Sequence, residues 1–275
     1  MKKKLLSLLI KKPVIIILVG FIACLVYSYE YFIARPQMVY MGIPKTNESS
    51  TKTFTRIFRN DGFMVGYSDV RGNPLWVSYK LTKIPPSSKN LKRPQGFNRD
   101  WRAFGLVSHD SYTNSRYDRG HMAPNHAISR LYGEDAQHDT FLMTNITPQK
   151  PKLNQRVWQK LEILEIQKFI RLFDEVWVYT GPIFDDDVKR LNTSFFVEIP
   201  DGFYKIYIGL NKNELPKTLA FNIPQTVKGY ENPYNFITTI KEIETLSGFD
   251  FFHELDDNLE NEIENNITKE SWGIN

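Results

Sequence analysis

Cysteine is almost absent from this 275-residue chain: Cys24 is the only one. It lies inside an apolar run, so the folded part can hold no internal disulfide. Histidine is also sparse, with five residues. None of them stands in a helical HExxH pattern or a Cys/His cluster, which argues against a zinc hydrolase built on His121, His126 and His138. Internal repeats and long low-complexity stretches are missing, and so is a strict β-α-β rhythm. That last absence favours an α+β fold over a parallel doubly wound sheet. What is present suffices for a sizeable core. Hydrophobic residues make up 41% and aromatic residues 14% of the chain, which excludes global disorder.

Charge is distributed unevenly. Between Lys80 and Arg130 there are ten Lys/Arg against three Asp, a local excess of +7, whereas Lys241 to the end carries an excess of −8. A basic block of that density suits a polyanionic partner, although a solvated surface gives the same count.

At the amino terminus, Lys2, Lys3, Lys4, Lys11 and Lys12 precede an uncharged run, Pro13 to Tyr29. Seventeen helical residues reach ~26 Å, and continuation to Ala34 spans a bilayer core. Residues 1–12 then read as a basic cytoplasmic segment and 13–34 as a transmembrane signal anchor, with Tyr27, Tyr29 and Tyr31 at the interface. A cleaved signal peptide competes, but no clean small-x-small site follows the run. A lipobox at Cys24 fits poorly, because the apolar run continues past it. Residues 35–55 are polar and Pro/Ser/Thr-rich, which predicts a linker, and 56–275 the folded domain.

Within that domain the pattern predicts strands at 63–67, 75–81, 140–144, 175–184, 194–200 and 203–210. Residues 83–102 form a long basic loop. Helical spacing places Leu153, Val157, Leu161 and Leu164 on one stripe of a helix over 152–172. Further helices are expected over 235–246 and 255–267.

The chemistry concentrates in Asp118-Arg119-Gly120-His121, followed by Asn154 and Glu162. A lone DRGH could be a polar turn at a strand end. Together with an amide and a carboxylate it supplies a base for water, a cation for phosphate and ligands for one hydrated divalent metal. Glu162 lies eight residues beyond Asn154, ~12 Å along an unbroken helix, so the two cannot ligate one ion directly. A carboxylate acting through a metal-bound water can.

The segments "YDRGHMAPNHAIS", "FLMTNITPQKPKLNQRVWQKLE", "VYTGPIF" and, more loosely, "LSGFDFFHEL" resemble the DNA/RNA non-specific endonucleases, the ββα-metal group that includes endonuclease G. The resemblance covers roughly residues 60 to 260. It implies a central antiparallel sheet flanked by helices, with His121 as general base and Asn154 as the sole protein ligand of Mg²⁺ (Mn²⁺ possible). It also implies Glu162 as orienter of the metal's waters, Arg119 as support for phosphate or base, and Arg93 as phosphate clamp. Lys92 and Arg99 stand close to Arg93 in the loop. Asp118, Asn125 and Asn145 are second-shell or substrate-binding candidates, and also plausible structural polar residues. The implied reaction cuts DNA and RNA with little base preference, leaving 5′-phosphate and 3′-hydroxyl ends outside the cytoplasm. DNA and RNA backbone, the membrane and a possible homodimer are the expected partners; no nucleotide cofactor is expected. The rivals are a membrane-tethered nucleic-acid receptor without catalysis and a phosphodiesterase for a small nucleotide or lipid head group.

Overall fold

Period-two alternation builds the centre of the molecule. The computed structural model describes residues 13–48 and 50–274, so the expected basic segment 1–12 lies outside the described residues. In chain order the strands are β1 (Lys45–Thr46), β2 (Arg56–Asn60), β3 (Phe63–Ser68), β4 (Asn73–Leu81), β5 (Asp118–His121), β6 (Ile146–Gln149) and β7 (Glu175–Ile183). They continue as β8 (Arg190–Leu191), β9 (Ser194–Glu198), β10 (Gly202–Leu210), β11 (Lys217–Pro224), β12 (Ile237–Thr238) and β13 (Phe249–Asp250). Seven of these pair antiparallel in the order β12-β11-β10-β7-β4-β3-β2.

Alternate residues of each strand feed opposite faces. Phe63, Val65, Val77, Tyr79, Val178, Phe203 and Tyr207 bury on one face, with Leu153, Val157 and Leu161 of the predicted helix. Met64, Trp76, Trp177, Tyr179, Tyr204 and Ile206 bury on the other, against Ile240, Ile243, Phe251 and Ile263. The expected α+β architecture is therefore present, a central antiparallel sheet between two helical layers.

The helices are α1 (Pro13–Tyr29), α2 (Asn125–Tyr132), α3 (Glu134–Thr140), α4 (residues 151–172), α5 (Ile240–Ser247) and α6 (Asp257–Asn265). The N-terminal unit, residues up to Gln37, is a separate body. It contains α1, continued by a π turn over Glu30–Ala34. The helical run Val14–Met38 is long and apolar enough to cross a membrane by length and composition.

Several local expectations need correction. Residues 140–144 are not a strand. They complete α3 and enter a 3-10 turn over Met143–Asn145. Thr140 Oγ1 bonds back to Gln137 O at 2.7 Å, and the Asn145 amide holds Thr140 O at 3.0 Å, so local side-chain bonds override the apolar pattern. The strand forms one step later, as β6. Residues 235–246 start as a 3-10 turn and the short strand β12. The helix α5 waits for Thr239, whose hydroxyl caps Glu242 N at 3.2 Å. β9 pairs with β8 alone and stands outside the main sheet.

The 35–55 linker is also shorter than its composition suggests. The folded unit begins at Met38. Val39 is 6% exposed in the second core, and the Tyr179 hydroxyl accepts from Tyr40 N at 2.7 Å while donating to Tyr40 O at 2.9 Å. β1 then pairs with β13. Burial of a valine contributes about 1.5–3 kcal/mol, enough to fasten a polar segment that periodicity alone leaves free. A chain starting at residue 38 should therefore melt on the order of 10 °C above one starting at residue 56. Differential scanning calorimetry checks this, and equal melting temperatures would refute the clip.

Candidate active site

Two short strands and one long helix position the predicted residues. β5 pairs antiparallel with β6, setting His121 opposite Ile146 and Asp118 opposite Gln149. Gly120 is required by close approach: a Cβ there would meet the Gln149 side chain at 2.2 Å. Asn145 is fully buried and spends its amide on backbone. Its Oδ1 accepts from Ala123 N at 2.8 Å, and Nδ2 donates to Ala123 O and Thr140 O. It fixes the turn after His121 and is not free to bind substrate, so its role is positional.

His121 closes the hairpin between two rings, Phe97 at 5.4 Å and Phe141 at 5.0 Å. Although the residue as a whole is half-buried, its Nε2 is enclosed and has no hydrogen-bond partner among the described residues. Burial, and then the nearby Arg93 charge, push its pKa down to about 3, so the imidazole is neutral at physiological pH. Arg93 stands 5.2 Å over the Phe141 ring, the same ring that packs against His121. Arg119 lies one ring away from His121. Its guanidinium donates to His109 O at 2.7 Å and Thr113 Oγ1 at 3.0 Å, and it sits 5.9 Å from the Phe97 ring. It braces the ring wall and the 109–113 turn, with no direct bond to the histidine among the described residues.

The helix α4 carries the other two candidates, and it is not the plain α-helix predicted. Leu153–Trp158 and Glu165–Phe169 are π-helical, flanking an α-helical Gln159–Leu164. Such wide turns often occur at functional sites. Asn154 lies in the first one. Its Nδ2 donates to Asp118 Oδ2 at 2.9 Å, and Gln155 Nε2 donates to the same oxygen at 2.8 Å. Asp118 is thus neither a turn former nor a free acid. It sets which end of the Asn154 amide faces outward, leaving Oδ1 as the available oxygen.

Glu162 follows on the α-helical turn. Enclosure raises its carboxyl to about 7, opposed by Lys205 and Arg93 and reinforced by Glu165. Arg93 lies close enough to His121 and to Glu162 to act electrostatically on both. Asn125 heads α2 with its Oδ1 buried and unpartnered among the described residues.

Sequence reading missed the network behind Glu162. Lys205 and Glu165 are both fully buried, with Nζ 2.7 Å from Oε1. The Tyr79 and Tyr207 hydroxyls donate to the same oxygen at 3.0 and 2.9 Å, and Nζ sits 4.7 Å from the Trp158 ring. The available signal was a lysine on the apolar alternation of β10, between Phe203 and Tyr207, together with an acid on the buried stripe of α4.

One ββα unit holding a neutral imidazole, an outward amide oxygen and an enclosed carboxyl defines the ββα-metal class of phosphodiester-cleaving sites. The family model for DNA/RNA non-specific endonuclease matches residues 44–258, and the chain belongs to that family. Among similar proteins, mitochondrial Nuclease EXOG of Xenopus laevis is 26% identical over 70% of this chain and 57% of its own length. The Nuclease of Serratia marcescens is 29% identical over 67% of this chain and 70% of its own. Mitochondrial Endonuclease G of Homo sapiens is 26% identical over 70% and 67%. The chain therefore spans less than two thirds of the EXOG relatives it matches. A solved complex of EndoG with EndoGI has a TM-score of 0.66 at 22% identity, covering 80% of this chain and 91% of that one, a likeness of fold.

Two outcomes follow from this geometry. Asp118→Ala frees the Asn154 amide to turn, and should weaken divalent-metal affinity by about 10–100-fold with the fold retained. Isothermal titration beside circular dichroism reads both, and unaltered affinity would count against the orienting role. Lys205→Met leaves Glu165 buried and unpaired and should cost about 3–5 kcal/mol in urea unfolding. Adding Glu165→Gln should recover most of it; a double variant as unstable as the single would show that the pair is not the cause.

Proposed function

We propose that this chain is a metal-dependent endonuclease that hydrolyses phosphodiester bonds of DNA and RNA with little base preference. The observation that carries this reading is the unpartnered, enclosed Nε2 of a neutral His121, next to a hairpin whose Asp118 holds the Asn154 amide. A base that must take a proton from water needs a ring nitrogen with no competing partner, and Nε2 has none among the described residues.

The donor set fits a hard cation. Asn154 Oδ1 and Glu162 offer oxygens, and the enclosed carboxyl, raised to about 7, gains by having positive charge close to it. Asn154 would hold Mg²⁺ or Mn²⁺, with Glu162 beyond its waters; the ion supplies charge stabilisation for the departing oxygen. The chain's own residues do the rest. His121 accepts the proton of a water whose oxygen attacks phosphorus. The P–O3′ bond breaks, leaving a 5′-phosphate and, after protonation, a 3′-hydroxyl. Arg93 adds fixed positive charge at the phosphate, and Arg119 holds the ring wall in place. Water as nucleophile requires no 2′-hydroxyl, so both nucleic acids are substrates. Contacts to the backbone carry little sequence information.

The apolar N-terminal helix serves in this reading as an anchor. Its flanking lysines stay cytoplasmic and the nuclease domain faces away from the cell's own chromosome. A homodimer is compatible with this arrangement and is not required by it.

Purified protein should degrade plasmid and RNA with Mg²⁺, and EDTA should stop it. His121→Ala should lose about 10²–10⁴-fold in rate while still retaining DNA in a gel shift. Retention without cleavage by the wild type would instead identify a receptor. The pH profile is a separate test. The imidazole, depressed to about 3, stays neutral throughout the neutral range, whereas Glu162 loses its proton only as pH rises through about 7. Activity at sub-saturating metal should therefore fall by up to about tenfold per unit below pH 7 and level off above it. That limb should vanish in Glu162→Gln; a limb unchanged in the variant would assign it elsewhere.

A further inference from the structure

We infer that the cleft beside the open end of the catalytic hairpin is a second subsite, which takes a nucleotide of the substrate strand away from the bond being cut. This rests on the nuclease reading above. The cleft has a volume of about 560 Å³ and is lined by Arg116, Lys150, Lys152 and Lys228, with Tyr117 and Val227 among the apolar lining residues. That size suits a nucleotide, and cations combined with apolar surface match a phosphate joined to a base.

Two observations say that the cations serve something outside the chain. First, none of the four side-chain cationic groups makes a hydrogen bond or ion pair among the described residues, unlike Arg56, Arg71, Arg102 and Lys205, which are all paired to carboxylates. Glu231, three residues beyond Lys228, accepts instead from the backbone N–H groups of Lys228 and Gly229, each at 2.7 Å. Second, Arg116 has φ +68°, a conformation that favours glycine, so the backbone there does not call for an arginine.

The hairpin fixes the spacing. Lys150 lies four residues beyond Ile146, the partner of His121, hence ~13 Å along the strand. An isolated phosphodiester at His121 cannot bridge that distance, whereas a polynucleotide can. The subsite therefore selects for chain length: it lies a strand's length from His121 and adjoins the reaction centre on the Asn154 side, where Asn154 N donates to Lys150 O at 2.9 Å.

Arg116→Gly combined with Lys228→Gln tests this in the full chain, since glycine is the residue best suited to that φ. The expected result is a KM for single-stranded DNA raised about tenfold, with hydrolysis of bis(p-nitrophenyl) phosphate unchanged. In EDTA, the dependence of DNA affinity on salt should lose a slope of about 1.4, or 0.7 per removed phosphate contact on a single strand. Unchanged KM and slope would overturn the subsite. Equal losses on DNA and on the small diester would also overturn it, by placing the cations at the reaction centre or in the fold. A wild type inert on both substrates would instead refute the nuclease reading, and the salt slope in EDTA would still decide the subsite.

Discussion

A single carboxylate oxygen joins the two halves of the candidate site. Asp118 Oδ2 accepts from Asn154 and Gln155, tying the first residue of the hairpin to the first turn of α4. Through that bond, the strand that ends in His121 and the helix that carries Glu162 share one register. The carboxamide has no intrinsic preference for presenting its oxygen outward. The acceptor at Asp118 supplies it, because the amide nitrogen is the only end of Asn154 that can donate. Removing this oxygen would leave every proposed participant present and the Asn154 amide free to turn.

Behind that joint lies an arrangement that is costly in isolation. Lys205 and Glu165 are buried together between sheet and helix, with two tyrosine hydroxyls completing the shell of one carboxylate oxygen. Buried ion pairs of this sort seldom add stability over a well-packed apolar replacement. Here Glu165 lies one turn from Glu162 on the same helix, Lys205 reaches in from β10, and the two charges act on the Glu162 carboxyl in opposite directions. The sheet thus reaches through its core to influence the enclosed Glu162 carboxyl.

Much of this was legible in the amino-acid sequence, for identifiable reasons. Strands β3, β4, β7 and β10 are rich in aromatic and β-branched residues and are buried on both faces, a composition that marks central strands. DRGH, Asn154 and Glu162 were legible as a set, because a base, a cation, an amide and a carboxylate together supply one chemistry. What stayed hidden depended on partners distant in the chain. Tyr40 finds Tyr179 across 139 positions, and no local pattern in residues 35–55 announces it. Asn145 read as a group near the site or as a structural polar residue, and its amide is bonded to backbone groups of Ala123 and Thr140. The π turns of α4 conserve the apolar stripe that a helical period predicts while shifting the polar side, so periodicity reads through them. Phe97 and Phe141 carried no signal as walls around an imidazole, because aromatic residues in a loop and a turn more commonly mark packing.

The chain enters its folded domain on the sheet face opposite the one that α4 covers. Val39 and Tyr40 dock on the sheet face that also buries Trp76 and Tyr179, whereas the hairpin and α4 belong to the reverse side. A load or a solid support attached ahead of residue 38 therefore pulls on the back of the domain. Pulled by that end, the domain would bear the load first at Val39 and Tyr40, on the sheet face away from the hairpin and α4.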